Sequence, residues 1–578
     1  MLSKKALFAL ALPLTFSAAF AKNQAIPKAQ MLLKSFRVNE SIYVLKDAKG
    51  NLLQKSILGD TPANWFNLSP SEGAEGVRTE EVYKTFGMPQ GEEVIVAVID
   101  SGVDVNHEDL QSKIWINSDE IANNGIDDDK NGYIDDVFGW NFIGGADGMA
   151  SIQEDTQLGN GIRLVKGKES AQVNADSLEI TRELARMKKL KSRVEELGEA
   201  LNAEQTAYLE KLQKEVSDEV TEAKRIVASY SVRLETYNVS EGILKAAGLI
   251  SVTVENVRAL TSTDPAVLKA KRDMLTLLTN GLTFERINRV LAHYNATVNY
   301  HYNEDYNPRT IIGDNYTDLN QKYYGNNDVI GPDADHGTHV SGIIAATRDN
   351  SIGMKGVATN IKIMAIRVVP NGDERDKDVA NGIRYAVDNG AKIINMSFGK
   401  AYSPYKRIVD EAVRYAESKG VLLVHAAGND NRNINNAPNF PGRVDKRNAD
   451  FNNWLEIGAS SFQKGLSLPA EFSNFGSRSV DFFAPGVDIL STVPNDKYDT
   501  FSGTSMAAPV VAGVAALVLS YEAGLDAEGL RSLLIDTSRR YPNHKVNIPG
   551  DAKQVLFSSL SIHGTIVDAL EAVKVLKN

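Results

Sequence analysis

Ser505 stands where a potential nucleophile meets the start of a long apolar segment. It lies within Phe501-Ser502-Gly503-Thr504-Ser505-Met506-Ala507-Ala508-Pro509, and apolar or small residues continue to Leu519. Because this run has no polar side, it predicts a helix that is buried all round. A serine in the first turn of a helix lies beside unpaired backbone N–H groups, which can stabilise a developing oxyanion. An ordinary helix N-cap, which also favours Ser and Thr, is the alternative interpretation.

Pro509 changes the backbone hydrogen bonding beneath this serine. A proline has no N–H, so it gives no bond to the carbonyl of Ser505, four residues earlier. The sequence therefore predicts an unusual first turn.

Asp100 ends a continuous apolar run, Val94 to Ile99. A run of this length predicts a strand that is buried on both faces. In parallel sheets the functional residues gather at the carboxyl ends of strands, so this aspartate is placed for chemistry. A plain turn aspartate after the strand is the alternative.

A third group of residues has the spacing of oxygen ligands in a calcium loop. Asp127, Asp129, Asn131 and Asp135 fall at positions 1, 3, 5 and 9, with the carbonyl of Tyr133 at position 7. Position 12 is phenylalanine, so Asp136 or a distant residue has to replace the usual bidentate glutamate. The spacing predicts a calcium site, and an ordinary turn cluster of Asp and Gly is the alternative.

The elements that must hold these groups alternate between strands and helices. Further strands are predicted at 361–369, 392–396 and 421–427, and helices from 335, at 379–387 and at 404–418. This alternation implies a parallel sheet with helices on both faces. The sequence therefore predicts an α/β fold.

Residues 151–328 differ in character, being rich in Ala, Glu, Lys and Leu. Two apolar stripes at helical spacing predict two long amphipathic helices, joined as an antiparallel hairpin near 198–202. The stripes are Ile180, Leu184, Met187 and Val194, and then Leu209, Leu212, Val216, Val220, Ala223 and Val227. Shorter helices are predicted at 264–279 and 283–294. We expect the apolar faces to pack on each other and on the main domain, with a membrane or partner surface as the alternative.

Composition and the N-terminus limit the classes of function. The 578 residues carry a net charge of -11, which argues against nucleic acid as the main partner. The chain has no cysteine, so disulfides and thiol catalysis are excluded. Lys4 and Lys5 precede the apolar run Ala6 to Phe16, and Ala19-Phe20-Ala21 fits a signal-peptidase site.

We therefore expect a cleaved signal at 1–21 and export to a periplasm or the medium. A retained membrane anchor is less favoured, because the run is short for a bilayer span. Residues 22–73 are either a propeptide or a permanent extension, and no later segment is apolar for long enough to be expected to cross a membrane.

Four motifs, taken in this order, resemble the subtilisin-like serine proteases (subtilases): Asp100-Ser101-Gly102, His336-Gly337-Thr338-His339-Val340, Ala427-Gly428-Asn429 and Gly503-Thr504-Ser505-Met506-Ala507. The order Asp, His, Ser is that of subtilisin. The resemblance covers about 74–148 and 329–570. It implies a catalytic domain in two parts, 74–150 and 329–578, interrupted by a helical insert at 151–328.

The resemblance also implies a role for each catalytic residue. Ser505 would be the nucleophile, His336 the general base and acid, and Asp100 the group that orients the imidazole. Asn429 would donate to the oxyanion from its side chain. Such an enzyme hydrolyses peptide bonds through an acyl-enzyme intermediate. His339, on the same helix as His336, is expected to be structural.

Substrate-binding segments follow from the same resemblance. Ser397-Phe398-Gly399 and Ala426-Ala427-Gly428 would form the walls of the S1 pocket, with Asn439 at its floor and Asp430 at its rim. Peptides or proteins would bind in an extended conformation, by backbone hydrogen bonds. The loop Asn371 to Asp376 replaces the small-residue strand expected beside upstream substrate residues.

Two classes of function compete for this chain. One is a secreted serine endopeptidase, and the other is a binding or scaffold protein that uses the helical insert as its working surface. Catalytic groups that act as a unit are difficult to retain together by accident, so the presence of all four favours the enzyme.

Overall fold

A computed structural model describes residues 62–154, 162–168 and 173–577. The expected signal at 1–21 and most of the expected extension at 22–73 lie outside the described residues. The described chain divides into two compact units, of which one spans Ile180–Tyr306 and the other contains the rest. The helical unit is therefore narrower than the insert expected at 151–328, because both ends of that range belong to the larger unit.

Fifteen strands are described, all of them in the larger unit. In chain order they are β1 (Val94–Asp100), β2 (Gly139–Asn141), β3 (Ser151–Glu154), β4 (Ile162–Val165), β5 (Ile361–Arg367), β6 (Ile393–Met396), β7 (Leu422–Ala426), β8 (Trp454–Ser460), β9 (Phe482–Pro485), β10 (Ile489–Val493), β11 (Lys497–Phe501), β12 (Arg539–Arg540), β13 (Lys545–Asn547), β14 (Gln554–Leu556) and β15 (Thr565–Ile566).

The α-helices of the described residues number thirteen. They are α1 (Thr79–Phe86), α2 (Glu179–Glu196), α3 (Ala203–Ala246), α4 (Val254–Ala259), α5 (Pro265–Thr279), α6 (Phe284–Ala296), α7 (Arg309–Ile312), α8 (Asp335–Ala345), α9 (Asp376–Asp388), α10 (Lys406–Ser418), α11 (Thr504–Tyr521), α12 (Ala527–Asp536) and α13 (Ala569–Lys577).

The larger unit is built on a nine-stranded sheet in the order β12-β15-β9-β8-β7-β6-β1-β5-β2. From β9 to β2 every neighbouring pair is parallel. β1 lies well inside the sheet and is buried along nearly its whole length, as its unbroken run of Val, Ile and Ala predicts. The predicted α/β fold with a parallel sheet is thus confirmed.

Helix α11 is the core helix of this unit. Its residues from Met506 to Ser520 are buried, and they pack in one cluster with residues of β1 and β8. Among the described helices it alone is long and apolar enough to cross a membrane, yet 89% of its apolar window is buried inside the structure. The prediction of a helix buried all round holds.

The helical unit contains one helix much longer than predicted. α2 ends at Glu196 and α3 begins at Ala203, where Asn202 caps it by accepting the N–H of Gln205 at 2.9 Å. α3 has 44 residues, because its apolar stripe continues to Leu244 and packs with residues of α5 and α6. α5 and α6 agree with the ranges 264–279 and 283–294.

Candidate active site

Three elements bring the predicted catalytic residues to one edge of the sheet. Asp100 is the last residue of β1, and it lies beside Arg367 at the end of β5. His336 is in the first turn of α8, and Ser505 is in the first turn of α11. Gly337 permits α8 to approach β1, because a Cβ atom at that position would lie 2.1 Å from the carbonyl oxygen of Gly102.

Asp100 and His336 form a hydrogen-bonded pair. Nδ1 of His336 lies 2.8 Å from Oδ1 of Asp100, which also accepts the N–H of Ser101 at 2.7 Å. The aspartate side chain is buried, whereas that of the histidine is 38% exposed. Because an ionised carboxylate only accepts hydrogen bonds, Nδ1 carries the proton and Nε2 can accept one.

Ser505 and Ser397 hold each other through two hydrogen bonds. The Ser505 hydroxyl donates to the carbonyl oxygen of Ser397 at 3.1 Å, and the Ser397 hydroxyl donates to the carbonyl oxygen of Ser505 at 2.9 Å. Pro509 leaves that second carbonyl without its helical partner, so Ser397 supplies the bond that the proline removes. Asn395 fixes the Ser397 hydroxyl with its own amide at 3.0 Å.

Thr504, which the sequence argument did not single out, orients the side chain of Asn429. The backbone N–H of Thr504 donates to Asn429 Oδ1 at 2.8 Å, and its hydroxyl donates to the same oxygen at 3.0 Å. The hydroxyl oxygen in turn accepts the N–H of Gly428 at 3.0 Å. With Oδ1 held by two donors, the NH₂ group of Asn429 is turned away from Thr504. It is thereby available to an oxyanion.

The predicted S1 residues lie next to one another. Asn439 Nδ2 donates to the carbonyl oxygen of Ala426 at 3.2 Å. Cβ atoms built on Gly399 and Gly428 would lie 2.5 and 3.5 Å from that nitrogen, so both glycines border the Asn439 amide. Phe398 is half-buried, and its ring centroid lies 6.3 Å from that of His425.

Asn474 and Arg432 complete this region and were missed from the sequence. Asn474 Nδ2 donates to the carbonyl oxygen of Ala427 at 2.8 Å, and its Oδ1 accepts the N–H groups of Asp430 and Arg432. Arg432 also pairs with the Asp430 carboxylate at 2.9 Å. Asp430, at the predicted rim of the S1 pocket, therefore belongs to an exposed ion pair, and its negative charge is balanced by Arg432.

The loop Asn371 to Asp376 buries three of its four charged side chains. Glu374, Arg375 and Asp376 are all buried. Arg375 donates to both carboxylate oxygens of Asp176, at 2.6 and 2.8 Å. Burial raises the pKa of Glu374 to about 8, although nearby Lys400 opposes the rise. The segment that replaces the expected small-residue strand is thus rich in charged residues, and most of these side chains are buried.

His339 is a structural histidine in this geometry. It is fully buried, and its Nε2 lies 3.0 and 3.1 Å from the carbonyl oxygens of Ile489 and Asp499. Since both partners are acceptors, Nε2 carries the proton. Burial, and to a lesser extent the nearby His336, lowers the pKa of His339 to about 3, so the ring is neutral at pH 7.

The calcium-type loop brings together a different set of carboxylates from the one its spacing predicts. Oxygens of Glu120, Asp127 and Asp129 lie within 4.8 Å of one another. Asp135 is not in this group, and its two oxygens accept the N–H groups of Asn124 and Gly125. The side-chain oxygen of Asn131 accepts the N–H of Tyr133 at 2.8 Å. Glu120, seven residues before Asp127, thus adds a carboxylate that the loop spacing does not predict.

Comparison with known proteins gives consistent matches. The model of the subtilase family (peptidase S8) matches residues 91–554. The thermophilic serine proteinase of Bacillus sp. (strain AK1) is 42% identical over 186 residues, which are 32% of this chain and 42% of that protein. Thermitase of Thermoactinomyces vulgaris is 39% identical over 236 residues, or 40% of this chain and 78% of thermitase.

A solved structure of proteases from Pseudoalteromonas arctica covers 89% of this chain and 97% of its own, at 20% identity and a TM-score of 0.44. The chain therefore spans less than half of the first relative's length and about three quarters of thermitase.

Proposed function

This chain belongs to the subtilase family of serine endopeptidases, and from that premise we propose that it is a secreted endopeptidase whose triad is Asp100, His336 and Ser505. The observation that carries the assignment is the 2.8 Å pairing of His336 Nδ1 with a buried Asp100. That pair fixes the tautomer in which Nε2 can take a proton from a serine hydroxyl.

The proposed reaction follows from these groups. Ser505 Oγ attacks the scissile carbonyl carbon while His336 Nε2 accepts the hydroxyl proton. The N–H of Ser505 and the amide of Asn429 then donate to the oxyanion of the tetrahedral intermediate. His336 returns the proton to the leaving amine, which gives an acyl-enzyme, and water hydrolyses this ester by the same steps.

The substrate proposed for this site is an extended peptide or protein segment. It would lie along Ser397–Gly399 and Ala426–Gly428, with the side chain before the scissile bond directed towards Asn439. The contacts of Asn439 with Ala426, Gly399 and Gly428 support this pocket. The ion pair of Asp430 with Arg432 weakens any charge preference that Asp430 alone would impose.

Calcium is the metal we assign to the carboxylate cluster. Glu120, Asp127 and Asp129 offer hard oxygen ligands of the kind this ion prefers. The bound ion would offset two of the three negative charges on these crowded carboxylates. Asn131 and Asp135 act here by shaping the loop, through the backbone hydrogen bonds of their side chains, and the carbonyl of Tyr133 remains a proposed ligand.

The proposal of export rests on the sequence of residues 1–21, whereas the propeptide interpretation concerns residues 22–73. N-terminal sequencing of the mature protein checks both, because cleavage after Ala21 and cleavage near residue 73 give different first residues.

Fluorophosphonate labelling tests the catalytic assignment. The purified mature chain should take one label, on Ser505, and Ser505→Ala should take none. A variant of Ser397, the serine that exchanges two hydrogen bonds with Ser505, serves as the control. Ser397→Ala should still be labelled, because only its backbone carbonyl contacts the Ser505 hydroxyl. A folded wild-type chain that takes no label and cleaves no peptide library would leave the scaffold as the better interpretation.

A further inference from the structure

A buried lysine joins the two chain segments that leave the sheet on either side of Asp100. β1 lies between β5 and β6, so the segments that follow β5 and β6 emerge on opposite sides of it. Asn371–Asp376 follows β5, and Ser397–Gly399 follows β6. The proposed function places an extended substrate along Ser397–Gly399, and Asn371–Asp376 stands where the resemblance leads us to expect a strand beside the substrate residues that precede the scissile bond.

Lys400 makes the connection. Its main chain exchanges two hydrogen bonds with Phe440, at 3.0 and 2.9 Å, next to Asn439. Its side chain is 1% exposed, and Nζ donates to the carbonyl oxygen of Glu374 at 2.6 Å. Nζ also lies 2.8 Å from Asp376 Oδ1. One side chain thus binds the segment after β5 to the segment that carries the proposed S1 wall.

The segment after β5 also contacts the stretch 174–176. Asn371 receives a hydrogen bond from the N–H of Asp176 and gives one to the carbonyl of Asn174, both at 3.2 Å. A Cβ atom on Gly372 would lie 2.3 Å from the Asp176 carbonyl oxygen, so the two stretches are in close contact. On the side of the chain that follows β6, Lys400 contacts this segment at both Glu374 and Asp376, and Ser403 and Tyr405 contact it at Asp376 alone.

Charge balance makes the lysine difficult to replace. Lys400 lies 3.7 Å from Glu179 as well as 2.8 Å from Asp376, and all three side chains are at most 2% exposed. A buried charge is tolerated only when it is paired, so removal of the lysine alone would take one cation from two buried carboxylates. Asp376 keeps two other donors, the hydroxyl of Ser403 and the N–H of Tyr405.

We infer that Lys400 is a positioning residue, which sets the separation of the two substrate-flanking segments and so controls the use of substrate residues upstream of the scissile bond. This inference rests on the proposed function. Lys400 touches none of the reacting groups. Loss of Lys400 should therefore lower kcat/KM for substrates with several residues before the scissile bond more than for substrates that offer only one.

The test compares two substrates with the same acyl residue and leaving group, a blocked single-residue ester and a blocked neutral tetrapeptide ester. Its readout is the kcat/KM value of the tetrapeptide ester divided by that of the single-residue ester. In Lys400→Met this ratio should fall by about tenfold or more, mainly through KM of the longer substrate. The double variant Lys400→Met with Asp376→Asn removes one counter-charge together with the cation, and it carries the test if the single variant does not fold.

Lys377→Met is the matched control. Lys377 is also fully buried, but its Nζ pairs with Asp314 at 2.7 Å and donates to Asn315 and Gln321, which do not belong to the segment after β6. It should lower the melting temperature and leave the ratio within about twofold of wild type.

An unchanged ratio in a folded Lys400 variant would overturn the inference, and so would an equal fall in Lys377→Met. Failure of the proposed function looks different, because the wild-type chain would then hydrolyse neither ester and take no fluorophosphonate label.

Discussion

Replacement of Thr504 by valine tests how Asn429, the proposed oxyanion donor, is oriented. Valine keeps the shape of threonine but lacks the hydroxyl that donates to Asn429 Oδ1 at 3.0 Å and accepts the N–H of Gly428 at 3.0 Å. The backbone N–H of Thr504 still holds Oδ1 at 2.8 Å. One of two orienting bonds is therefore lost, and the other remains.

The size of the effect follows from that count. A neutral hydrogen bond contributes about 0.5–1.5 kcal/mol, and about 1.36 kcal/mol of barrier is tenfold in rate. Thr504→Val should therefore lower kcat by about 2- to 13-fold, with little change in KM, because the oxyanion forms only in the reaction. Complete loss of the donor in Asn429→Ala should cost about 10²–10³, the magnitude known for such a donor in subtilisin rather than one worked out from this structure.

Steady-state hydrolysis of a chromogenic peptide measures these changes. Thr504→Ser keeps the hydroxyl and should stay within about twofold of wild type. On an Asn429→Ala background, Thr504→Val should have no further effect on kcat, since the amide that it orients is gone. A wild-type kcat in Thr504→Val, or an additional fall on the Asn429→Ala background, would refute the reasoning.

Two further predictions concern stability. Excess calcium should raise the melting temperature by mass action; Glu120→Gln should remove most of that increment and Asp135→Asn should keep it, whereas the reverse result would favour the ligands that the spacing predicts. The second concerns Glu374, whose pKa burial raises to about 8, against about 4.3 in an unfolded chain. The unfolded chain thus binds fewer protons between these values, so stability should fall as the pH rises through that window. Glu374→Gln should show a smaller loss of unfolding free energy between pH 5 and pH 8 than wild type, and identical pH dependence would contradict this account.

The sequence predicted those strands and helices in which the pattern of apolar residues matches the faces that are buried. β1 and α11 are unbroken apolar runs because each is covered on all sides, and the range predicted for each is close to the observed one. The motifs also placed Asp100, His336 and Ser505 on three elements that meet at the end of β1. Pattern and position carry this information without any knowledge of tertiary contacts.

Glu120 and Thr504 show where such reasoning ends. Glu120 joins Asp127 and Asp129 only because the chain folds back on itself, and no loop spacing counted from Asp127 includes it. Thr504 acts through a hydrogen bond to Asn429, a residue 75 positions earlier. Asp135 has the expected spacing but lies outside the cluster of Glu120, Asp127 and Asp129, and its carboxylate accepts two backbone N–H groups, so its role as a ligand stays a prediction.

The separation of β1 from β5 has a consequence for the entropy of the chain. These neighbouring strands are about 260 residues apart in sequence, and the unit Ile180–Tyr306 accounts for about half of that connection. Loop-closure entropy grows with the logarithm of length, so halving the connection would change the closure free energy by only about 0.6 kcal/mol. Units of very different size can therefore be inserted in the connection between β1 and β5 at nearly the same entropic cost.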